Sequence, residues 1–513
     1  MPDLLAEAVA QPVTATDFQT EIAEVFSATG PLARRLPGYR VRTQQTEMAL
    51  AVARTIEERG TLVAEAGTGT GKTYAYLAPA LLRGGKVLVS TGTKTLQDQL
   101  FARDLPQLVA ALQVPASIAL LKGRGNYLCH LHLERTQHDE RALASRQEVA
   151  QLRKIQVFAK HTRTGDRAEL AGVPDNADIW QKVTSTRDNC LGADCEFYRD
   201  CFVVKARKAA QEAEVVVVNH ALFLADLALK DEGIADLLPA ADCVIFDEAH
   251  QLPEVATRFL GESVSTHQIL DLARDALAMG MKHSRENADW AALTQPLEQA
   301  ARELRLACAQ VEKMPGQKSA FDALPDMAAF EAAIGQACAA VRALARVLAA
   351  VRERHPDLEL LARRAPELFA RLQRWAPTQP ALAEGGDARA EQPDADSAWP
   401  ENPAESAAGA PAAEPLDGQL ALAQAAAPAS ADEWVRWVET TANHVRLHAA
   451  PLSVAHAFSR YRPAEQAWIL TSATLAVRSD FSHFTRQLGL YEARTGQWES
   501  PFDYANCGRL FVP

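Results

Sequence analysis

The sequence predicts an α/β protein, a parallel sheet covered by helices on both faces and interrupted by two large insertions. Three observations predict it. Short continuous apolar runs alternate with helical segments, the pattern of strands buried on both faces. A glycine-rich loop joins one such run to a helical pattern. Two long stretches, 122–214 and 251 to about 460, break the alternation.

Taken in order, residues 1–60 read as mostly helical. Gln44–Arg59 has apolar residues at helical spacing and a stop at Gly60. Strands are expected at Thr61–Ala64, Lys86–Ser90, Ile118–Leu121, Val215–Val218, Cys243–Phe246 and Trp468–Leu470. The first interruption, 122–214, is polar and cysteine-bearing. The second, from 251, reads as almost entirely helical. Within it, 376–432 holds eight of the 27 prolines and little apolar mass, so a disordered segment is expected there.

The length, 513 residues, allows about three domains. Net charge is −12, but 376–432 carries ten acids and one base, a local −9, leaving −12 − (−9) = −3 for the rest. An acidic total therefore does not exclude a nucleic-acid groove elsewhere. No run of about 18 uncharged apolar residues occurs, so no membrane span is expected. The N-terminus lacks a basic segment followed by a long apolar one, so no secretory signal is expected and a cytoplasmic setting is the default.

The sharpest local signal is Thr61-Leu-Val-Ala-Glu-Ala-Gly-Thr-Gly-Thr-Gly-Lys-Thr73, with a helix-like run after it. Strand, glycine loop, Gly-Lys-Thr and helix stand in the order of a phosphate-binding loop. Gly67, Thr68, Gly69, Thr70 and Gly71 supply backbone N–H groups to phosphate oxygens, and the helix N-terminus adds its dipole. Lys72 is expected at the β/γ-phosphates and the Thr73 hydroxyl on Mg²⁺. Ala66 stands where the usual pattern has glycine. The second element such a loop needs, an acid at a neighbouring strand's end, is Cys243-Val-Ile-Phe-Asp-Glu-Ala-His250. Asp247 is expected to hold Mg²⁺ and Glu248 to orient the attacking water. His250 is placed to link this site to bound nucleic acid. Cys243 reads as a core thiol.

Eight cysteines occur, and Cys129, Cys190, Cys195 and Cys201 are spaced C-x₆₀-C-x₄-C-x₅-C. Four thiolates can hold a [4Fe–4S] cluster or tetrahedral Zn²⁺. Zinc ribbons usually show tight C-x₂-C pairs, and none occurs here. Basic and aromatic residues accompany the four (Arg124, Tyr127, Phe197, Tyr198, Arg199, Lys205, Arg207, Lys208), a combination suited to single-stranded DNA. Cys308 and Cys338 read as core residues of Ala-rich helices, and Cys507 has no visible partner.

The Asp247-Glu-Ala-His250 box with the loop resembles the superfamily 2 helicases. Gln44 or Gln45, with Met48, resembles their adenine-contacting glutamine motif. Ser90-Thr-Gly-Thr-Lys-Thr-Leu-Gln-Asp-Gln-Leu100 resembles the strand-end motif that contacts single-strand phosphates, and Thr471-Ser-Ala-Thr474 the motif coupling hydrolysis to strand movement. Lys122-Gly-Arg-Gly-Asn-Tyr-Leu-Cys129, the three later cysteines and Val215-Val-Val-Val-Asn-His-Ala-Leu-Phe-Leu224 narrow the resemblance to the XPD-like iron–sulfur helicases, in particular the bacterial DinG/YoaA branch.

That resemblance implies a RecA-like P-loop motor domain (1–121 and 215–255), an iron–sulfur domain (122–214), an all-helical arch (256–460) and, at 461–513, the motor domain's end with the start of a second. It implies ATP, Mg²⁺ and a [4Fe–4S] cluster as cofactors. It also implies 5′→3′ movement on single-stranded or forked DNA, replication or repair proteins as possible partners, and no membrane. The sequence ends some forty residues after Thr474 with no Gln-x-x-Gly-Arg-x-x-Arg series, so the expected second motor domain is truncated. The alternatives are a nucleotide- and DNA-binding module without unwinding, and an ATPase with structural zinc.

Overall fold

The computed structural model describes residues 16–502 except 139–142, 144, 232–236, 309–316, 377–433, 442–443, 452, 456–457 and 459–461. The expected disorder at 376–432, but for Ala376, lies outside the described residues, as do Cys507 and 503–513. The chain divides into two compact units, one of residues 1–262 and 448–513, the other of 263–447.

The first unit is built on a seven-stranded parallel sheet. In chain order its strands are β1 (Thr61–Ala66), β2 (Val87–Thr91), β3 (Ile118–Leu120), β4 (Val215–Asn219) and β5 (Cys243–Asp247), then β10 (Ala467–Ser472) and β11 (Arg494–Trp498). Their spatial order is β11-β1-β10-β5-β2-β4-β3. All six expected runs are strands: five are buried on both faces, which selects apolar sequence, and β3, at the sheet edge, is half-buried. One face, with Leu62, Val89, Val217, Ile245 and Ile469, packs under Met48, Val52 and Leu77. The opposite face, with Val63, Leu88, Val218, Phe246 and Trp468, packs against Phe223, Leu252 and Phe484. Cys243 is buried in the first of these cores, and burial pushes its thiol up to about 12.

The cysteine-bearing stretch has a core of its own: Tyr127, Leu128, Leu152, Ile155, Trp180, Val183 and Phe202 are all buried. A stretch that reads as polar in the sequence thus packs an apolar core of its own. The apolar residues are spread thinly over the stretch and converge only through tertiary packing.

The second unit holds four long helices, Thr266–His283, Trp290–Cys308, Met327–Val351 and Pro356–Gln373. The first opens with a capping box between Ser265 and Gln268. Cys308 is fully buried and Cys338 half-buried on these helices. The expectation of an all-helical insertion is corrected by a four-stranded sheet, β6 (Glu262–Ser265), β9 (Val445–Pro451), β8 (Trp434–Thr440) and β7 (Gln317–Ala320), in that spatial order. The segment Met327–Arg354 is long and apolar enough to cross a membrane by length and composition alone. Here Phe330, Ile334, Val341, Leu344 and Leu348 form its buried face in this unit.

Candidate functional site

Parallel pairing of β1 with β10, and of β10 with β5, aligns Glu65 with Ser472 and Thr471 with Asp247. The loop after β1, the turn after β10 and the acidic box after β5 therefore emerge side by side at the strands' carboxyl ends, where α/β sheets bind ligands.

The loop turns on Gly69 and Gly71, with φ of +83° and +85°. Gly71 is the N-cap of the helix Lys72–Arg83. Lys72 Nζ donates to the Ala66 carbonyl at 3.0 Å, and Thr70 Oγ1 to Gly67 O at 2.5 Å. Of the two candidate glutamines, Gln45 is buried and donates through Nε2 to Gly71 O at 2.9 Å. Gln44 does not line the cleft beside the loop. That cleft, of about 920 Å³, is walled by Gly67–Gly69, Gly71–Tyr74, Gln45, Tyr39, Arg42 and Arg35. Its size and its mixture of cations, glycines and rings fit a nucleoside triphosphate. Tyr39, Arg42 and Arg35 precede the glutamine motif and carried no periodic or motif signal in the sequence.

Asp247 is 7% exposed at the end of β5. Burial, reinforced by the neighbouring Glu248 charge, raises its pKa from 3.8 to about 6, against an opposing pull from Lys72. Its proximity to Lys72 places a carboxylate beside the phosphate loop, where a divalent cation is needed. Glu248 has φ of +56°, a left-handed conformation that costs a non-glycine residue about 1–2 kcal/mol. That bend turns the chain from strand to the short Ala249–Gln251 helix. Glu248, Ser472 and His250 then meet. Ser472 Oγ donates to Glu248 Oε2 at 3.3 Å, His250 Nδ1 lies 2.8 Å from Ser472 Oγ, and 3.3 Å separates His250 Nδ1 from Glu248 Oε2.

All four candidate ligand cysteines are free, half-buried thiols. Their charges are coupled: Cys129 feels Cys201 and Cys195, and Cys195 feels Cys190 and Cys201. Burial pushes the Cys129 thiol up to about 11, opposed by N–H groups of His132 and Leu131; burial also raises Cys195. Cys129 immediately precedes the helix His130–His138, and Cys201 is the N-cap of Phe202–Glu212. Arg124 Nη1 donates to Cys190 Sγ at 2.9 Å, and Gly192 N to the same sulfur at 3.5 Å. Arg207 is also coupled to Cys190 and Cys201. Two of the bases expected at DNA thus lean on the sulfurs, and Tyr127 is a core residue whose hydroxyl accepts from Lys122 N at 3.0 Å. Tyr198, Arg199, Lys205 and Lys208 remain exposed.

Sequence reading missed two joints. Lys122, 3% exposed, pairs at 2.7 Å with both Asp98 and Asp166, tying the strand-end motif to the cysteine-bearing stretch. Glu65 accepts from Leu475 N and Ala476 N and from Gln497 Nε2 (2.7 Å). A buried lysine and a strand glutamate carry no pattern of their own; only tertiary pairing reveals them.

The DEAD/DEAH box helicase family model matches residues 44–125. The ATP-dependent DNA helicase YoaA of Escherichia coli is 37% identical over 493 residues, covering 95% of this chain and 68% of that protein. YoaA of Haemophilus influenzae is 34% identical, covering 97% and 69%, and the ATP-dependent DNA helicase DinG of Photobacterium profundum 27%, covering 94% and 70%. A solved XPD helicase structure aligns with a TM-score of 0.43 at 12% identity, covering 90% of this chain and 62% of that one. On its identity to the two YoaA proteins across more than two thirds of their length, the chain belongs to the YoaA/DinG family of ATP-dependent DNA helicases.

Proposed function

We propose that this chain couples ATP hydrolysis at the loop 66–73 to movement along single-stranded DNA, 5′→3′, in cytoplasmic DNA replication or repair. The observation that carries the reading is the contact set of Glu248, Ser472 and His250, which joins the hydrolytic carboxylate to the Thr471–Thr474 turn. Lys72 and the N–H groups of Gly69, Gly71, Lys72 and Thr73 bind the β- and γ-phosphates, and Gln45 braces the loop at Gly71 O. Thr73 and Asp247 are the residues that would hold Mg²⁺, which neutralises phosphate charge. Glu248 orients the attacking water and takes its proton. Movement of the turn alters the contacts of Ser472, and through them the position of Glu248.

Cys129, Cys190, Cys195 and Cys201 would hold a [4Fe–4S] cluster, which supplies a rigid anionic anchor, with Arg124 and Arg207 offsetting its charge. The donor set supports this over zinc. Zn–S bonds of about 2.3 Å put tetrahedral thiolates about 3.8 Å apart. Among the described residues no three of these sulfurs lie mutually within 4.8 Å. Exposed Tyr198, Arg199, Lys205 and Lys208 offer one ring and three cations to a strand.

The test is ATP turnover with and without single-stranded DNA, and unwinding of a forked duplex, for wild type and Lys72→Ala. DNA-stimulated turnover lost in the variant supports the reading. Binding of ATP and DNA without turnover in wild type supports a binding module instead, and colourless protein without labile sulfide removes the cluster.

A further inference from the structure

We propose that residues 498–502 form a strap that holds the phosphate loop in its nucleotide-binding shape, with Ser500 and Phe502 as positioning residues. The inference rests on the reading above that the loop binds ATP. β11 runs parallel to β1 with Ala66 opposite Trp498, so the chain leaves the sheet beside the point where the loop begins. It then crosses the loop rather than turning away. Gly67 N donates to Trp498 O at 2.9 Å. Ser500 Oγ donates to Thr68 O at 2.7 Å and accepts from Phe502 N at 3.3 Å. The Phe502 ring lies flush on Gly69.

The glycines show how tight the approach is. A Cβ on Gly67 would come 2.6 Å from Ser500 N, and one on Gly69 would come 2.2 Å from Phe502 Cε2. Two of the loop's three glycines are thus required by the strap; Gly71 is instead crowded by Gln45 Nε2, at 2.2 Å. The ties are confined to the loop's first half. The Gly67 N–H and Thr68 carbonyl are engaged by the strap, and Thr70 N donates within the loop to Gly67 O at 3.3 Å, leaving the N–H groups of Gly69, Gly71, Lys72 and Thr73 for phosphate. Phe502 is 55% exposed, yet its ring lies against Gly69. Fixing three loop residues in advance lowers the ordering entropy that nucleotide binding must otherwise supply. The strap therefore acts on affinity and leaves the hydrolytic groups at Asp247 and Glu248 alone.

The experiment measures binding of a fluorescent ATP analogue, KM for ATP, kcat at saturating ATP and melting temperature. It compares the full chain, Lys72→Ala, Ser500→Ala/Phe502→Ala and Phe502→Tyr. The expected result is about tenfold weaker binding and about tenfold higher KM in the double variant, with kcat within about twofold of wild type. Phe502→Tyr, which keeps the ring, behaves as wild type. If Lys72→Ala abolishes binding or turnover while the double variant matches wild type, the strap is overturned and the ATP site stands. If kcat falls as far as affinity and the melting temperature drops with it, the residues are merely structural and the positioning role is overturned. If Lys72→Ala changes neither binding nor turnover, the underlying site assignment fails.

Discussion

Replacing Asp247 by asparagine should stabilise the nucleotide-free protein while abolishing its turnover. The carboxyl is 7% exposed, and burial with the adjacent Glu248 charge raises its pKa from 3.8 to about 6. A carboxyl raised on folding costs stability wherever it is ionised. Below about pH 4 it is protonated in both folded and unfolded chains and contributes nothing; the cost accumulates through pH 4–6 and is complete above that. At about 1.4 kcal/mol per pH unit, it is about 1.5 kcal/mol at pH 5 and about 3 kcal/mol at pH 8. Asparagine keeps the shape and removes the charge. The assay is the unfolding free energy of wild type and Asp247→Asn from pH 5 to pH 8 without nucleotide or divalent ion, beside ATP turnover at pH 8. The variant should be the more stable throughout, by a margin that roughly doubles across the range. A margin independent of pH, or a less stable variant at pH 8, refutes the argument that desolvation holds this carboxyl up.

Ser472→Ala removes the hydroxyl between Glu248 and His250. A hydrogen bond to a charged group is worth about 1.5–3 kcal/mol, so DNA stimulation of turnover should fall about 10- to 100-fold while basal turnover persists, read by steady-state ATPase. Lys122→Met breaks two ion pairs at once and should cost about 3 kcal/mol, the low end for buried pairs because Asp98 is 43% exposed. Burial alone would lower this lysine's pKa, but its bonds to Asp166 and Asp98 outweigh that and raise it. Its contribution is therefore intact below about pH 10 and lost only above, so the melting deficit should be constant from about pH 6 to pH 9. Cys195→Ser should lose iron and acid-labile sulfide together, measured by elemental and sulfide analysis; zinc replacing iron in wild type would contradict the cluster.

The sheet and the phosphate site were legible because each leaves a local trace. Five of the six predicted strands are buried on both faces and so are spelled mostly in apolar residues, and the half-buried edge strand β3 still reads Ile-Ala-Leu. β11 was missed because Arg494-Thr-Gly-Gln-Trp498 is an edge strand with mostly polar positions, three exposed and two half-buried. The small second sheet escaped because β7, Gln317-Lys-Ser-Ala320, is four residues long with no apolar alternation. The four cysteines were found by spacing. That Arg124 and Arg207 turn toward the sulfurs could not be, since a base beside a cysteine reads equally as a DNA contact until its direction is known. The choice between Gln44 and Gln45 was a question of helix rotation, decided by which side chain reaches Gly71 O.

The place of β10 has a consequence for how the protein is made. It lies between β1 and β5, yet some 220 residues of chain separate it from β5 and some 400 from β1. As the polypeptide leaves the ribosome, the halves of the ATP pocket cannot be brought into register until Ala467–Ser472 has emerged. Until then two long hydrophobic edges wait without their shared neighbour, the kind of surface that invites misassembly. Chaperone demand during synthesis should therefore be set by when this late strand arrives, more than by the stability of the finished fold.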